Sequence, residues 1–87
     1  DYLLRVTGDS MQPLYAEDDI LLVRQTDAVN EGDIGVFLLE GELLVKKLRE
    51  GSLVSLNPCY PDRTCGEYCV CRGEILGKLN PNWILRG

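Results

Sequence analysis

The chain has 87 residues, of which 45% are hydrophobic, and a formal net charge of -5. This length supports one modest core, so we expect residues 1–87 to form a single domain. Nine basic against fourteen acidic residues disfavour direct binding of nucleic acid, which depends on clustered Lys and Arg. No apolar run reaches the roughly 18 residues of a membrane helix. The absence of histidine excludes Ser-His-Asp and Cys-His catalysis and histidine metal ligation.

The first half of the chain alternates short apolar segments with turn signals. Leu3 to Val6 predicts a strand, and Met11 to Leu14 predicts one helical turn that Pro13 keeps short. The continuous apolar runs at 20–23 and 34–39 predict two strands that are covered on both faces.

Two hairpins are predicted next. Glu40-Gly41 predicts a tight turn into a strand over 42–48, and Glu50-Gly51 predicts a second turn into a strand that ends at Leu56. Both dipeptides place glycine where tight turns need it, so we expect the strands on either side to pair directly.

The C-terminal third is predicted to be irregular over residues 57–71, which are rich in Pro, Cys and Asp, and to finish with a strand over 73–79. The whole pattern gives five or six short strands and at most one or two helical turns. It predicts an all-β domain of barrel-like or coiled-sheet architecture.

Ser10, in the turn Gly8-Asp9-Ser10-Met11, is the candidate nucleophile. A serine hydroxyl needs an adjacent base, and without histidine the choices are lysine or a carboxylate. Alternate residues of a strand share a face, so Lys46 lies on a face with two leucines whereas Lys47 shares its face with Arg49. Burial among leucines disfavours the ammonium form, which selects Lys46 as the candidate base. The ordinary alternatives are a simple turn and a solvated Lys-Lys edge.

Six segments occur in a familiar order. They are Gly8-Asp9-Ser10-Met11, Asp19-Ile20-Leu21-Leu22-Val23, Gly32-Asp33-Ile34, Val45-Lys46-Lys47-Leu48, Leu56-Asn57-Pro58 with Tyr60-Pro61, and Gly73-Glu74-Ile75-Leu76-Gly77. In this order the chain resembles, from about residue 3 to residue 79, the C-terminal domain of LexA-type and phage repressors. That domain has a self-cleaving serine peptidase fold, which is shared with type I signal peptidases.

The resemblance implies a serine endopeptidase with a Ser-Lys dyad, in which Ser10 is the nucleophile and Lys46 the general base. The backbone N–H groups of Ser10 and Asp9 are implied as oxyanion donors. No cofactor is implied. The substrate is expected to be a peptide bond of the protein's own linker, upstream of residue 1, which joins this domain to an N-terminal DNA-binding domain that is absent here.

The resemblance also implies partners and a setting. The domain is expected to form a homodimer, which lets paired DNA-binding domains meet a palindromic operator. In that family, cleavage belongs to the SOS response to DNA damage, when RecA filaments favour the cleavable conformation. We therefore expect a cytoplasmic transcriptional repressor with no membrane contact, which meets DNA only through the absent domain.

Two departures from the family pattern concern a turn residue and the location of the cleavage dipeptide. Asp18 stands where the family often has glycine before the aspartate of the second strand, which alters a turn. The family's cleavage dipeptide, typically Ala-Gly or Cys-Gly, lies upstream of the serine, and only nine residues precede Ser10 here. Cys65-Gly66 has the right composition but lies on the wrong side of the serine, so we discount it.

Four cysteines form a third departure: Cys59, Cys65, Cys69 and Cys71. Their C-x5-C-x3-C-x-C spacing lacks the C-x2-C pairs that are typical of structural zinc. We favour reduced thiols, partly buried as small apolar groups. A site for zinc or another thiophilic metal on these four residues, and a disulfide or redox sensor, stay open as alternatives.

Two other functions compete with self-cleavage. One is a catalytically silent dimerisation module that binds a small antirepressor protein. The other is the soluble part of a type I signal peptidase, because Ser10-Met11-Gln12-Pro13 resembles that group's Ser-Met-x-Pro element, although its arginine and Gly-Asp pattern is missing after Lys46. The apolar tail around Trp83 is expected to cover the core or to join the dimer contact.

Overall fold

A computed structural model describes residues 1–66 and 69–79, and these form one antiparallel sheet of seven strands. In sheet order the strands run β1, β2, β7, β3, β4, β5, β6. Their bounds are β1 (Tyr2–Arg5), β2 (Ile20–Arg24), β3 (Ile34–Leu39), β4 (Glu42–Arg49), β5 (Ser52–Val54), β6 (Arg63–Thr64) and β7 (Cys69–Lys78). No helix occurs in this part of the chain, so the all-β prediction is confirmed, with seven strands instead of five or six. Trp83 lies outside the described residues.

Both predicted hairpins are present. Leu39 pairs with Glu42 at the end of the β3–β4 ladder, and the two turn residues between them have φ values of 52° and 83°. Arg49 pairs with Ser52 in the β4–β5 hairpin, where Glu50 and Gly51 have φ values of 51° and 77°. Positive φ at both central positions is the type I′ geometry, which matches the twist of the flanking strands.

The prediction for residues 57–71 was wrong in part. This segment contains β6, which pairs with β5, and the first three residues of β7, which starts at Cys69 instead of residue 73. The early part of β7 pairs with β3 through contacts such as Leu39 with Cys69. A partner distant in the sequence imposes these extended conformations, and the local Pro, Cys and Asp content gives no sign of it.

Two apolar clusters lie on the two faces of β3. Val36 belongs to the first cluster, with Val6, Met11, Tyr15, Leu21 and Val23. Phe37 belongs to the second, with Leu39 and Leu53. Consecutive strand residues point to opposite faces, so β3 is covered on both, as predicted. β2 differs, because only Leu21 and Val23 are fully buried in it and the residues between and beside them are half-buried or exposed.

Candidate active site

The turn that carries Ser10 is fixed between two core residues. Val6 and Met11 are 5% and 2% exposed, so the chain enters and leaves the turn through the first apolar cluster. Gly8 has a φ of 82°, a left-handed conformation that glycine adopts without steric cost. After Ser10, the N–H of Tyr15 donates to the carbonyl of Met11 (3.0 Å) and closes a turn. The helical turn predicted at Met11 to Leu14 is not formed, because these residues make a non-helical turn in which the Gln12–Pro13 peptide bond is cis. Ser10 itself is half-buried.

The segment after β5 holds the Ser10 turn from the other side. The backbone N–H of Asn57 donates to the carbonyl of Ser10 (2.9 Å), and its side-chain Nδ2 donates to the carbonyl of Asp9 (3.1 Å). The hydroxyl of Tyr60 donates to the Asp9 carboxylate. That hydrogen bond and the Asp9 charge raise the pKa of Tyr60, so its phenol keeps the proton that it donates.

Lys46 is buried in the middle of β4, with 7% of its surface exposed. Its Nζ donates to the Oγ of Ser55 over 2.7 Å, and Ser55 is 8% exposed. Burial lowers the pKa of Lys46, and the nearby Arg63 guanidinium lowers it further, while Glu42 acts in the opposite direction. The burial that the strand-face argument predicted is therefore present, and it favours the neutral amine.

An aromatic ring faces the same ammonium group. The Nζ of Lys46 lies 5.7 Å from the centre of the Tyr60 ring, within the range of a cation–π contact. Tyr60 therefore contacts Lys46 through its ring and the Ser10 turn through its hydroxyl. The Tyr60 side chain therefore links Lys46 to the turn that carries Ser10.

Ser10 and Lys46 line the same two cavities. The first, of about 330 Å³, lies between the end of β1 and the first half of β4. The second, of about 240 Å³, also includes Ser55, Tyr60 and Arg63. The fold therefore brings a serine and a buried lysine, 36 positions apart in the sequence, to a shared opening. Their catalytic roles stay predictions, since the hydroxyl that accepts from Lys46 in this structure is that of Ser55.

The two predicted oxyanion donors are the backbone N–H groups of Asp9 and Ser10. Among the described residues, neither group has a hydrogen-bond acceptor, whereas both residues' carbonyl groups are engaged by Asn57. This leaves both donors available to an incoming oxygen atom.

Ser55 was not predicted as a site residue, although the strand register places it beside Lys46. The Glu50-Gly51 turn fixes the β4–β5 register, in which Lys47 pairs with Val54. Continuing that register by one residue places Ser55 opposite Lys46. Tyr60 and Arg63 gave no such signal, because an irregular segment brings Tyr60 to the cavity and the unpredicted strand β6 brings Arg63 there.

The cysteine prediction needs correction. Cys65 and Cys69 form a disulfide with their Cα atoms 5.2 Å apart, while Cys59 is an exposed free thiol and Cys71 a half-buried one. Burial raises the pKa of Cys71. Reduced thiols were favoured for all four, and two of them are oxidised here. Because ligation requires thiolates, the four-cysteine metal site is not formed in this structure. Across residues 1–66 and 69–79, no other group of three or more metal-ligating side chains is found.

Within the part of the chain that the structure describes, no helix has the length and apolar character needed to cross a bilayer.

The chain is similar in sequence to a known family and to proteins of that family. Residues 1–79 match the family described as Peptidase S24-like. The chain is 41% identical over 85 residues to the LexA repressor of Ruegeria sp. (strain TM1040), covering 90% of this chain and 35% of the relative. It is 35% identical over 80 residues to the LexA repressor of Thermotoga neapolitana, covering 90% of this chain and 41% of the relative. The chain thus spans about two fifths of these relatives or less. With its seven-stranded sheet, and with Ser10 and Lys46 on a common cavity, the chain belongs to the Peptidase S24-like family as a LexA-type C-terminal peptidase domain.

Proposed function

We propose that this chain is the self-cleaving and dimerising part of a LexA-like transcriptional repressor, with Ser10 as nucleophile and Lys46 as general base. The observation that carries the proposal is the shared cavity of Ser10 and the buried Lys46, in a chain of the S24 family. Burial lowers the pKa of Lys46, and a lysine with a lowered pKa accepts a proton from a serine hydroxyl more readily than a solvated lysine does.

The proposed chemistry is acyl transfer followed by hydrolysis. Neutral Lys46 accepts the proton of the Ser10 hydroxyl while Oγ attacks the carbonyl carbon of the scissile peptide bond. The negative charge that forms on the carbonyl oxygen is met by the N–H groups of Ser10 and Asp9. The intermediate collapses as the C–N bond breaks, and Lys46 returns its proton to the leaving amine. Water then attacks the acyl-Ser10 ester, with Lys46 again accepting a proton, and frees the serine.

Ser55 supports this cycle by holding the base. A neutral amine has two N–H donors and one lone pair. With one N–H committed to Ser55 Oγ at 2.7 Å, rotation about the Cε–Nζ bond is restricted and the lone pair is confined to the two remaining positions on Nζ. We therefore include Ser55 in the proposed mechanism as a residue that orients Lys46.

The biological setting is part of the same proposal. The substrate is a linker upstream of residue 1, and DNA is bound through an N-terminal domain outside residues 1–87. Dimerisation, stimulation by a RecA filament after DNA damage and action in the cytoplasm are proposed from the family resemblance. The similarity to LexA repressors supports the repressor role. The same comparisons favour a repressor over the signal peptidase alternative.

The test is self-cleavage of the full-length protein. Purified protein is incubated between pH 6 and pH 10, and fragments are followed by gel electrophoresis and mass spectrometry. Cleavage is expected to accelerate with pH, because the neutral form of Lys46 is the active base. Ser10→Ala and Lys46→Ala should stop it, whereas Lys47→Ala should not. An intact chain at every pH, or cleavage by the Ser10→Ala variant, contradicts the proposal.

A second candidate is a repressor domain that dimerises without cleaving and responds to an antirepressor protein. The observation that favours it is the hydrogen bond of Lys46 to Ser55 instead of Ser10. A full-length protein that forms dimers and binds its operator, yet stays uncleaved with and without RecA filaments, would select this candidate.

A further inference from the structure

The peptide unit between Asp9 and Ser10 is held by its oxygen atom. The carbonyl of Asp9 accepts hydrogen bonds from Asn57 Nδ2 (3.1 Å) and from the backbone N–H of Gln12 (3.2 Å). A trans peptide unit is planar, and its C=O and N–H groups point in opposite directions. Whatever fixes the carbonyl of Asp9 therefore also fixes the direction of the Ser10 N–H.

Asn57 holds the next peptide unit in the same manner. Its own backbone N–H donates to the carbonyl of Ser10 (2.9 Å). Asn57 therefore donates hydrogen bonds to two successive carbonyl groups, one before and one after the Ser10 Cα atom. The orientation of the Ser10 side chain relative to its own N–H is restricted as a result.

Asn57 is itself oriented by contacts on its remaining polar atoms. Its Oδ1 accepts from the N–H of Cys59 (3.0 Å), and its carbonyl accepts from the N–H of Tyr60 (3.1 Å). Because Oδ1 is engaged by Cys59, the amide group presents Nδ2 to Asp9. Tyr60 adds a further restraint through its hydroxyl, which donates to the Asp9 carboxylate.

We propose that Asn57 is a positioning residue that aims the Ser10 N–H at the oxyanion of the cleavage reaction. This inference rests on the proposed function. Oxyanion stabilisation depends on donors fixed before the charge forms, and loss of one such donor costs about a hundredfold or more in rate. Asn57 does not touch the reacting atoms. Loss of its hydrogen bond to Asp9 therefore misaligns the Ser10 N–H without removing it. We expect a cost of roughly ten- to a hundredfold.

Asn57→Asp is the informative variant. It keeps an oxygen atom that accepts from Cys59 but removes the Nδ2 donor, whereas Asn57→Ala removes both. In the full-length protein, both variants are expected to cleave roughly ten- to a hundredfold more slowly at the alkaline plateau of the pH profile. If Asn57 served only to shape its own turn, Asn57→Asp would cleave like the wild type. Gln25→Glu, the same chemical change outside the two Ser10 cavities, is the matched control and should leave the plateau unchanged.

The pH midpoint separates this role from an effect on the base. Asn57→Ala should lower the plateau while leaving the midpoint, which reports Lys46, where it is in the wild type. A displaced midpoint with an unchanged plateau would overturn the inference. If Asn57→Asp does not fold, Asn57→Ser replaces it, because a serine hydroxyl can accept in the turn but is too short to reach Asp9.

A second readout does not depend on cleavage. The amide resonance of Ser10 and its hydrogen-exchange rate are measured by NMR in the wild type, Asn57→Asp and Gln25→Glu. We expect Asn57→Asp alone to move the Ser10 resonance and to accelerate its exchange. If the wild type never cleaves, the proposed function fails while this measurement still decides the inference: a Ser10 amide that is indifferent to Asn57→Asp overturns it.

Discussion

Ser55→Ala removes the hydroxyl that accepts from Lys46 Nζ and leaves that buried atom without its partner. A hydrogen bond to a charged group contributes about 1.5–3 kcal/mol, and one between neutral groups about 0.5–1.5 kcal/mol. While Lys46 carries its proton, at pH below its own pKa, we expect the free energy of unfolding to fall by about 1.5–3 kcal/mol. For a domain of this size the melting temperature should fall by about 6–24 °C.

The stability lost in Ser55→Ala should become smaller as pH rises, because Lys46 becomes neutral and its hydrogen bond to Ser55 weaker. Burial gives folded Lys46 a lowered pKa, so the unfolded chain binds more protons between that pKa and about 10.4, and stability rises with pH across this window. Ser55 favours the charged form, so its removal lowers the pKa of Lys46 further. A difference of about 1 kcal/mol between the acid and alkaline losses corresponds to an acid shift of about 0.7 in the cleavage midpoint.

The assay is urea unfolding at pH 5 and pH 10, together with the pH profile of self-cleavage in the full-length protein. Ser52→Ala is the matched control, because Ser52 begins β5, three residues before Ser55, and its side chain makes no hydrogen bond among the described residues. The reasoning is refuted if Ser55→Ala and Ser52→Ala have the same stability at pH 5. A cleavage midpoint that stays in place or moves to higher pH refutes it equally.

Three further changes test the fold by thermal unfolding. Asp18 has a φ of 73°, so Asp18→Gly should raise the free energy of unfolding by up to about 1 kcal/mol; an unchanged or lower melting temperature would contradict this. Reduction of the Cys65–Cys69 disulfide, which closes a short loop, should cost about 2 kcal/mol, and identical melting with and without reductant would contradict the pairing. A Cβ atom on Gly73 would lie 2.3 Å from Cγ1 of Val23, so Gly73→Ala should lower the free energy of unfolding by about 1–3 kcal/mol. Wild-type stability in this variant would contradict the close contact between Gly73 and Val23.

Features encoded within a few residues were predictable from the sequence. The two turns with glycine in second place gave the β3–β4–β5 meander, and strand alternation selected the buried lysine of the Lys46-Lys47 pair. Reading the hairpin register one step further would also have found Ser55. In each case the turn chemistry and the period of two are local properties.

Features that depend on distant partners were not predictable. β6 is extended because β5 lies beside it, and the start of β7 is extended because β3 does. The disulfide belongs to the same class, because four cysteines allow several pairings and only the fold selects Cys65 with Cys69. The hydrogen bond from Asn57 to Asp9 in the Ser10 turn joins residues 48 positions apart, so no local sequence pattern predicts it either.

The contrast between short-range and long-range contacts at the site has a consequence for the order of folding. Lys46 and Ser55 are nine positions apart in one hairpin, whereas Asn57 and Asp9 are 48 apart. Closing a long loop costs more entropy, so we expect the hairpin to form first and the Ser10 turn to dock later. Pulse-labelled hydrogen exchange should then protect the amides of the β4–β5 ladder before the Asn57 amide, and simultaneous protection would contradict this order. Under the proposed mechanism, a newly made chain would complete the surroundings of Lys46 before Ser10 reaches the cavity, so self-cleavage would start only after the Ser10 turn has docked.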